Sequence, residues 1–150
     1  MNFDKAMTLA IERARIATIS SSDVPVGAVI LGPNQEVISF GNNQRLLLED
    51  STAHAEIVAI RSANKSLNSW RLNECTLIVT LEPCAMCAGA IMQSRIKRLV
   101  FGAWDMKAGA CGSVWDLLRD PRSLHQVEVI REIMKHECEK LIQEFFSSKR

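Results

Sequence analysis

Apolar side chains at Phe3, Met7, Ala10, Ala14 and Ala17 recur at helical spacing, which predicts an N-terminal helix ending in the Ser20-Ser21-Ser22 turn. Past that turn the pattern changes to short apolar runs. Val24 to Leu31 and Glu36 to Gly41 read as two strands, and the Gly32-Pro33-Asn34 turn between them predicts a hairpin. Thr76 to Leu81 and Arg98 to Phe101 read as short buried strands on either side of a helix from Cys84 to Gln93, and Val127 to Ile130 is a shorter strand. Ile130, Ile133, Met134, Cys138, Leu141, Ile142 and Phe145 then form an apolar stripe that predicts a long C-terminal helix. Helices alternating with apolar strands, without internal repeat or low-complexity segment, place the chain in the α/β class. Its 150 residues, 47% of them hydrophobic, are enough for one well-buried domain and short for two, so a single domain over residues 1–150 is expected.

Charge and cysteine usage narrow the setting. Asp4, Lys5, Glu12, Arg13 and Arg15 exclude an apolar signal core from the first twenty residues, and no later stretch is long enough to cross a membrane. A cytoplasmic location without membrane contact is expected. Five cysteines in a chain with no secretion signal fit a reducing compartment better than a disulfide framework. Cys75, Cys111 and Cys138 read as small apolar residues, and Met86, Met92 and Met134 as core filler.

Two short motifs carry the chemistry: His54-Ala55-Glu56 and Pro83-Cys84-Ala85-Met86-Cys87. Alone, His-x-Glu is a common solvated helix start, and Cys-x-x-Cys reads equally as a redox pair or half of a zinc knuckle. In this order and with proline before the first cysteine, they supply one imidazole and two thiolates. Three zinc ligands are one fewer than a closed structural site needs, and an open fourth position admits a water whose pKa the metal lowers. Glu56 is placed to accept its proton. Local signals explain the spacing: Pro83 suits the first turn of a helix, Cys84 and Cys87 share one face at the positive end of its dipole, and that end favours thiolates. Ser51 or Thr52 caps a second helix, from about Ala53 to Ser62, with His54 in its first turn. Residues two apart on a helix point to nearly opposite sides, so His54 and Glu56 converge only if that turn is end-on to the metal. Two helix starts should therefore face each other across the ion.

The zinc deaminases, tRNA adenosine deaminases among them, carry a His-x-Glu and Pro-Cys-x-x-Cys signature in this order. The chain resembles the bacterial tRNA-specific adenosine deaminases of the cytidine deaminase-like superfamily along nearly its whole length. The resemblance runs through Pro25-Val26-Gly27-Ala28-Val29, Thr52 to Ile57, Thr80-Leu81-Glu82-Pro83-Cys84, Cys87 to Ala90, Ser94-Arg95-Ile96, Val100 to Ala103, Asp105 to Ala110 with Gly112-Ser113, and Phe145-Phe146. It implies a three-layer α-β-α sandwich around a five-stranded mixed sheet, one zinc per subunit on His54, Cys84 and Cys87, and a homodimer. The implied reaction turns the wobble adenosine of a tRNA anticodon loop, such as that of tRNA-Arg, into inosine. Zinc-activated water attacks the amine-bearing carbon while Glu56 shuttles the proton. By motif position Asn43 hydrogen-bonds the base, Val26, Gly27, Ala28 and Pro83 line the pocket, and glycine at 27 lets backbone approach the ligand. Asp105, Lys107, Phe146, Lys149 and Arg150 contact the RNA.

A formal net charge of +1 provides no global attraction to phosphate, so an RNA surface has to be local. Arg95, Lys97 and Arg98 are candidates beside Lys107 and the tail. Trp104 stands where the family more often has a smaller, polar or basic residue; it either stacks on an unpaired base or narrows the pocket. The segment Arg45-Leu46-Leu47-Leu48-Glu49-Asp50 is unusually apolar for a pocket-rim loop. Two other functions fit parts of the pattern: deamination of a free base or nucleoside such as guanine or cytosine in nucleobase salvage, and a non-catalytic zinc-stabilised RNA-binding or partner subunit. Glu56 discriminates against the latter, because a structural site needs no proton shuttle.

Overall fold

The computed structural model describes residues 2–149, so Arg150 lies outside the described residues. Helix α1 (Phe3–Ser21) opens the chain, capped by the Asn2 side chain on the Lys5 amide at 2.8 Å and stopped by Ser22 in the left-handed conformation. A hairpin of β1 (Gly27–Leu31) and β2 (Val37–Asn42) follows, then a single turn α2 (Arg45–Leu48) and helix α3 (Ala55–Leu67). Strand β3 (Thr76–Leu81), helix α4 (Ala85–Gln93) and strand β4 (Arg98–Ala103) form a parallel crossover unit. After the short strand β5 (Glu128–Ile130), helix α5 (Lys135–Ser147) ends the described chain.

The five strands form one mixed sheet in the order β2-β1-β3-β4-β5, antiparallel across β2-β1-β3 and parallel across β3-β4-β5. Side chains alternate across a strand, and here both faces are covered. Val29, Leu31, Ile78 and Val100 pack beneath α1 and α5, while Ile30, Leu77, Val79, Leu99 and Phe101 pack against α3 and α4. That is the three-layer sandwich expected. Close approach of the layers needs two glycines: a Cβ on Gly27 would overlap the Ala10 carbonyl of α1, and one on Gly41 would overlap the Ala55 carbonyl of α3.

Several boundaries differ from the sequence reading. Pro83 precedes the helix rather than opening it, because Cys84 is the N-cap of α4. The His54 helix likewise starts two residues late and runs longer, with His54 itself as N-cap; Ser51 and Thr52 lie in the preceding turn, where Asp50 accepts the Thr52 amide at 2.9 Å. Ile130 belongs to β5, and Ile133 and Met134 to the turn before α5, so the C-terminal apolar stripe spans a strand, a turn and a helix. Strand β1 begins at Gly27, so Val24 to Val26 belong to the loop that leads into it. The register pairs Gly27 with Asn42 and Leu81 with Ala103, which gathers the start of β1 and the ends of β2, β3 and β4 at one end of the sheet.

Candidate active site

At that end the N-termini of α3 and α4 meet. An N-cap side chain ordinarily bonds the first free amides of its helix. Neither His54 nor Cys84 does so, and both are turned toward each other instead. His54 Nδ1 lies 3.6 Å from Cys84 Sγ and 3.6 Å from Cys87 Sγ, and the three ligand atoms fall within 4.8 Å of one another. Metal bonds of about 2.1 Å to nitrogen and 2.3 Å to sulfur at a tetrahedral angle put those atoms roughly 3.6 Å apart. Both nitrogen–sulfur separations are therefore already at the edge length of a zinc tetrahedron, and soft thiolates with one imidazole select zinc over hard cations.

Proton sharing within the trio follows from its geometry. The Cys84 thiol is pulled down to about 4, first by the hydrogen bond from Cys87 and then by His54, whereas Cys87 is pushed up by donating that bond and by burial. His54 is raised, chiefly by its bond to Cys84. A metal must displace the protons held on Cys87 and His54. Zinc binding near neutral pH is therefore expected to release about one to two protons, and affinity to weaken as pH falls. Calorimetry in buffers of different ionisation enthalpy counts them; zero release would mean that the trio is ionised before the metal arrives.

Glu56, 4% exposed, occupies the first turn of α3 and shares with His54 and Cys84 the wall of a cavity of about 210 Å³. Burial pushes its carboxyl up to about 7, opposed by its own backbone N–H and by His54. A cation on the ligand trio acts in the same opposing sense, so the carboxyl is held where it can both take and return a proton. The cavity lies below the roughly 300–1,000 Å³ of drug-sized ligand sites and suits a single planar base.

Among the residues expected at the substrate, Val26, Asn43 and Asp105 line this cavity, while Gly27, Ala28 and Pro83 are not part of its lining. Glycine at 27 serves the packing of α1, not the approach of a ligand. The Asn43 side chain also organises its loop: Nδ2 donates to the Val24 carbonyl at 3.1 Å and Oδ1 accepts the Arg45 amide at 3.1 Å. One N–H and one acceptor site of the amide are left for a ligand. Two buried acids were not singled out from sequence. Asp23, 1% exposed, accepts the amides of Val24 and Leu46 and the Arg45 guanidinium at 3.1 Å, which fixes the rim of the cavity. Glu82, 2% exposed, accepts three amides of the loop after β4. Neither stands out in the sequence, since an isolated acid in a loop normally faces solvent.

A second, shallower groove adjoins the cavity, shares Val24, Leu81, Asp105 and Ala108 with it, and is walled by Trp104, Lys107 and Phe146. Trp104 does not narrow the cavity. Its ring packs edge-on against Phe101 at 5.0 Å between centroids, and its Nε1 donates to Glu132 at 2.8 Å. Phe146 is half exposed, in edge contact with Phe145, and Lys149 lies 5.3 Å from the Phe145 ring. The cluster Arg95, Lys97 and Arg98 is elsewhere. Arg98 starts β4, five residues and about 17 Å from the cavity end of that strand. Its guanidinium is paired with Glu128, Lys97 with Glu74, and Arg95 bonds the carbonyls ending α4, so these cations serve the opposite end of the sheet.

An α-β-α sandwich with one imidazole, two thiolates and an adjacent buried carboxylate at paired helix starts defines a zinc-dependent deaminase. Residues 1–103 match the family model described as the cytidine and deoxycytidylate deaminase zinc-binding region. A curated tRNA-specific adenosine deaminase of Haemophilus influenzae is 44% identical over 98% of this chain and 84% of its own length. The chain belongs to the tRNA-specific adenosine deaminase family. Among solved structures, one from studies of A-to-I editing by tRNA:A34 deaminases at the wobble position superposes with a TM-score of 0.87 at 40% identity, covering 91% of this chain and 98% of that one. A guanine deaminase of Bacillus subtilis superposes less closely, at 0.68 and 32% identity over 85% and 83%.

Proposed function

We propose that this chain, as a single deaminase domain over residues 1–150, hydrolyses the wobble adenosine of a tRNA anticodon loop to inosine in the cytoplasm. One observation carries the reading: the base-sized cavity beside Glu56 continues into a groove that holds Asp105, Lys107, Trp104 and Phe146. A deaminase for a free base needs the cavity alone. A strand of RNA needs somewhere for the nucleotides on either side, and aromatic rings beside a cation are what unpaired nucleotides bind.

His54, Cys84 and Cys87 would hold the zinc, which when bound would supply the acidity that lowers the pKa of a water at the open position. Glu56 takes the proton on its carboxylate, delivers it to the purine ring nitrogen and then assists departure of ammonia. Burial of Glu56 excludes bulk water from that relay. Asn43 orients the base with the amide capacity that its loop leaves free, and Val26 packs against the ring. Asp105, Lys107, Phe146 and Lys149 engage the flanking nucleotides. Cys75, Cys111 and Cys138 are buried and unbridged, in keeping with a reducing cytoplasm; no helix among the described residues is long and apolar enough to cross a membrane.

The working unit is a homodimer. Leu46, Leu47 and Leu48 are about half exposed on α2, and the outer face of α4 presents Ala85, Met86 and Gly89, where a Cβ would meet nothing. A second copy covers such a surface without cost to the cavity.

The test is to incubate the zinc-loaded protein with a tRNA-Arg anticodon stem-loop bearing a wobble adenosine, and separately with adenosine, guanine and cytosine, and to follow conversion by mass spectrometry. Inosine is expected in the RNA only. Conversion of a free base with the RNA untouched would move the protein to nucleobase salvage. Sedimentation of the same sample is expected at twice the 16.7 kDa chain mass; a monomer active on the stem-loop would remove the homodimer.

A further inference from the structure

The proton relay leaves two buried acids at the site unused, Asp23 and Glu82, and the surroundings of Glu82 define a task. Glu82 ends the Thr80-Leu81-Glu82 run immediately before Pro83 and the zinc ligand Cys84. Its Oε1 accepts the Asp105 amide at 3.0 Å, and its Oε2 accepts the amides of Cys111 at 2.9 Å and Ser113 at 3.1 Å. Among the described residues no arginine, lysine or histidine bonds it, so the segment from 105 to 113 is wrapped around a carboxylate with backbone N–H groups. A buried carboxylate is stable there because three donors replace its water.

The wrap is completed by bonds on either side. The Ala110 amide donates to the Pro83 carbonyl at 2.8 Å, Cys84 and Gly109 form an antiparallel bridge, and the Ser113 hydroxyl donates to the Asp105 carbonyl at 2.8 Å. A Cβ on Gly109 would press on both the Glu82 carboxylate and the Ser113 hydroxyl, so glycine leaves that pair undisturbed. The Asp105 carboxylate in turn accepts the amides of Lys107 and Ala108 at 3.1 Å each. A continuous chain of bonds thus runs from the strand end that carries the zinc ligand to Asp105, which lines both cavity and groove, and on to Lys107 in the groove.

We propose that Glu82 is a positioning residue for substrate: it fixes Asp105 and Lys107 relative to the zinc helix, so that a base in the cavity and its neighbour in the groove are held together. It acts on binding and registration of the strand, not on the proton relay. This rests on the RNA reading given above.

Glu82→Gln separates the two contacts. With its oxygen toward Cys111 and Ser113 the amide keeps that pair, and its NH₂ then faces the Asp105 N–H, donor against donor. The Asp105 end of the loop is released while zinc and fold stay in place. For the stem-loop substrate, KM is expected to rise about 10-fold with kcat within about 2-fold and zinc content unchanged. Gly109→Ala pushes on the same carboxylate from the loop side and should raise KM in the same way. If both act through one displacement, the double variant is no worse than the stronger single one.

Unchanged KM in Glu82→Gln overturns the proposal, as does a fall in kcat or zinc content with KM unmoved, which marks a purely structural acid. Should Glu82→Gln fail to fold, Gly109→Ala decides alone by the same criterion. A wild-type protein inactive on the stem-loop overturns the RNA reading and this proposal with it, whereas an active wild type with unmoved variants overturns this proposal only.

Discussion

Glu56→Ala is expected to lower kcat about 10³-fold or more while the protein keeps one zinc per chain. Glu56 is not a ligand: the ion is held by His54, Cys84 and Cys87, whose donor atoms are within 4.8 Å of one another without it. The loss arises because the carboxylate handles the proton both on attack and on release of ammonia, and a single positioned acid–base group is worth about 10² to 10⁴ in rate. Stability moves the other way. The carboxyl of Glu56 is raised from 4.5 to about 7 in the fold, so the folded state favours its neutral form. That contribution is fully present below the unfolded value and is lost as pH rises toward about 7. In metal-free protein at pH 8, Glu56→Gln should accordingly melt a few degrees above wild type. Metal analysis with single-turnover kinetics checks the first part, and a variant keeping more than about a tenth of wild-type kcat would remove Glu56 from the relay.

Cys87→Ser is expected to abolish both zinc retention and activity, for a different reason. Cys87 is fully buried behind the other ligands, and serine of nearly the same volume leaves no large cavity. What is lost is a thiolate: a buried hydroxyl does not ionise near neutral pH and is a poor ligand for a borderline-soft ion. An ion present at a thousandfold excess over its dissociation constant stabilises the fold by about 4 kcal/mol. At 2–4 °C per kcal/mol for a chain of this size, the variant should melt roughly 10 °C below zinc-loaded wild type. Chelated wild type should melt near the variant. A variant that melts like zinc-loaded wild type and copurifies with full zinc would remove Cys87 from the ligand set.

The elements that could be read from the chain are those whose apolar period is uninterrupted. The Thr76–Leu81 run is the observed strand to the residue, and the helical stripe from Phe3 to Ala17 is buried as Met7, Ala10, Ala14 and Ala17. Boundaries failed where a local signal was put to another use. Ser51 and Thr52 look like a helix cap, but Asp50 accepts the Thr52 amide and hydroxyl. The helix begins at His54 and Cys84 because those residues, committed to the metal trio, stand as N-caps without capping. The C-terminal stripe misled similarly, since Ile130, Ile133 and Met134 pack on the same face of the sheet as Leu141 while the backbone passes from strand through turn to helix.

Surface residues were less legible. Arg95, Lys97 and Arg98 look like an RNA patch in sequence, yet each is engaged locally at the far end of the sheet; charge clusters along a chain carry no record of which end of a strand they occupy. Lys107 and Phe146, about forty residues apart in sequence, share one groove because α5 packs along β4.

The chain alone determined the ligand types, their number and the open fourth position, because Cys-x-x-Cys and His-x-Glu are short-range patterns whose chemistry travels with them. It also determined the α/β class, since strand and helix periods are local. The tertiary structure decided which buried acids serve the site. Asp23 and Glu82 are ordinary loop acids until the fold removes water from them and supplies backbone amides in its place. Apart from that of Val24 beside Asp23, those amides come from segments more than twenty residues away, and such long-range satisfaction of a buried charge leaves no local signature.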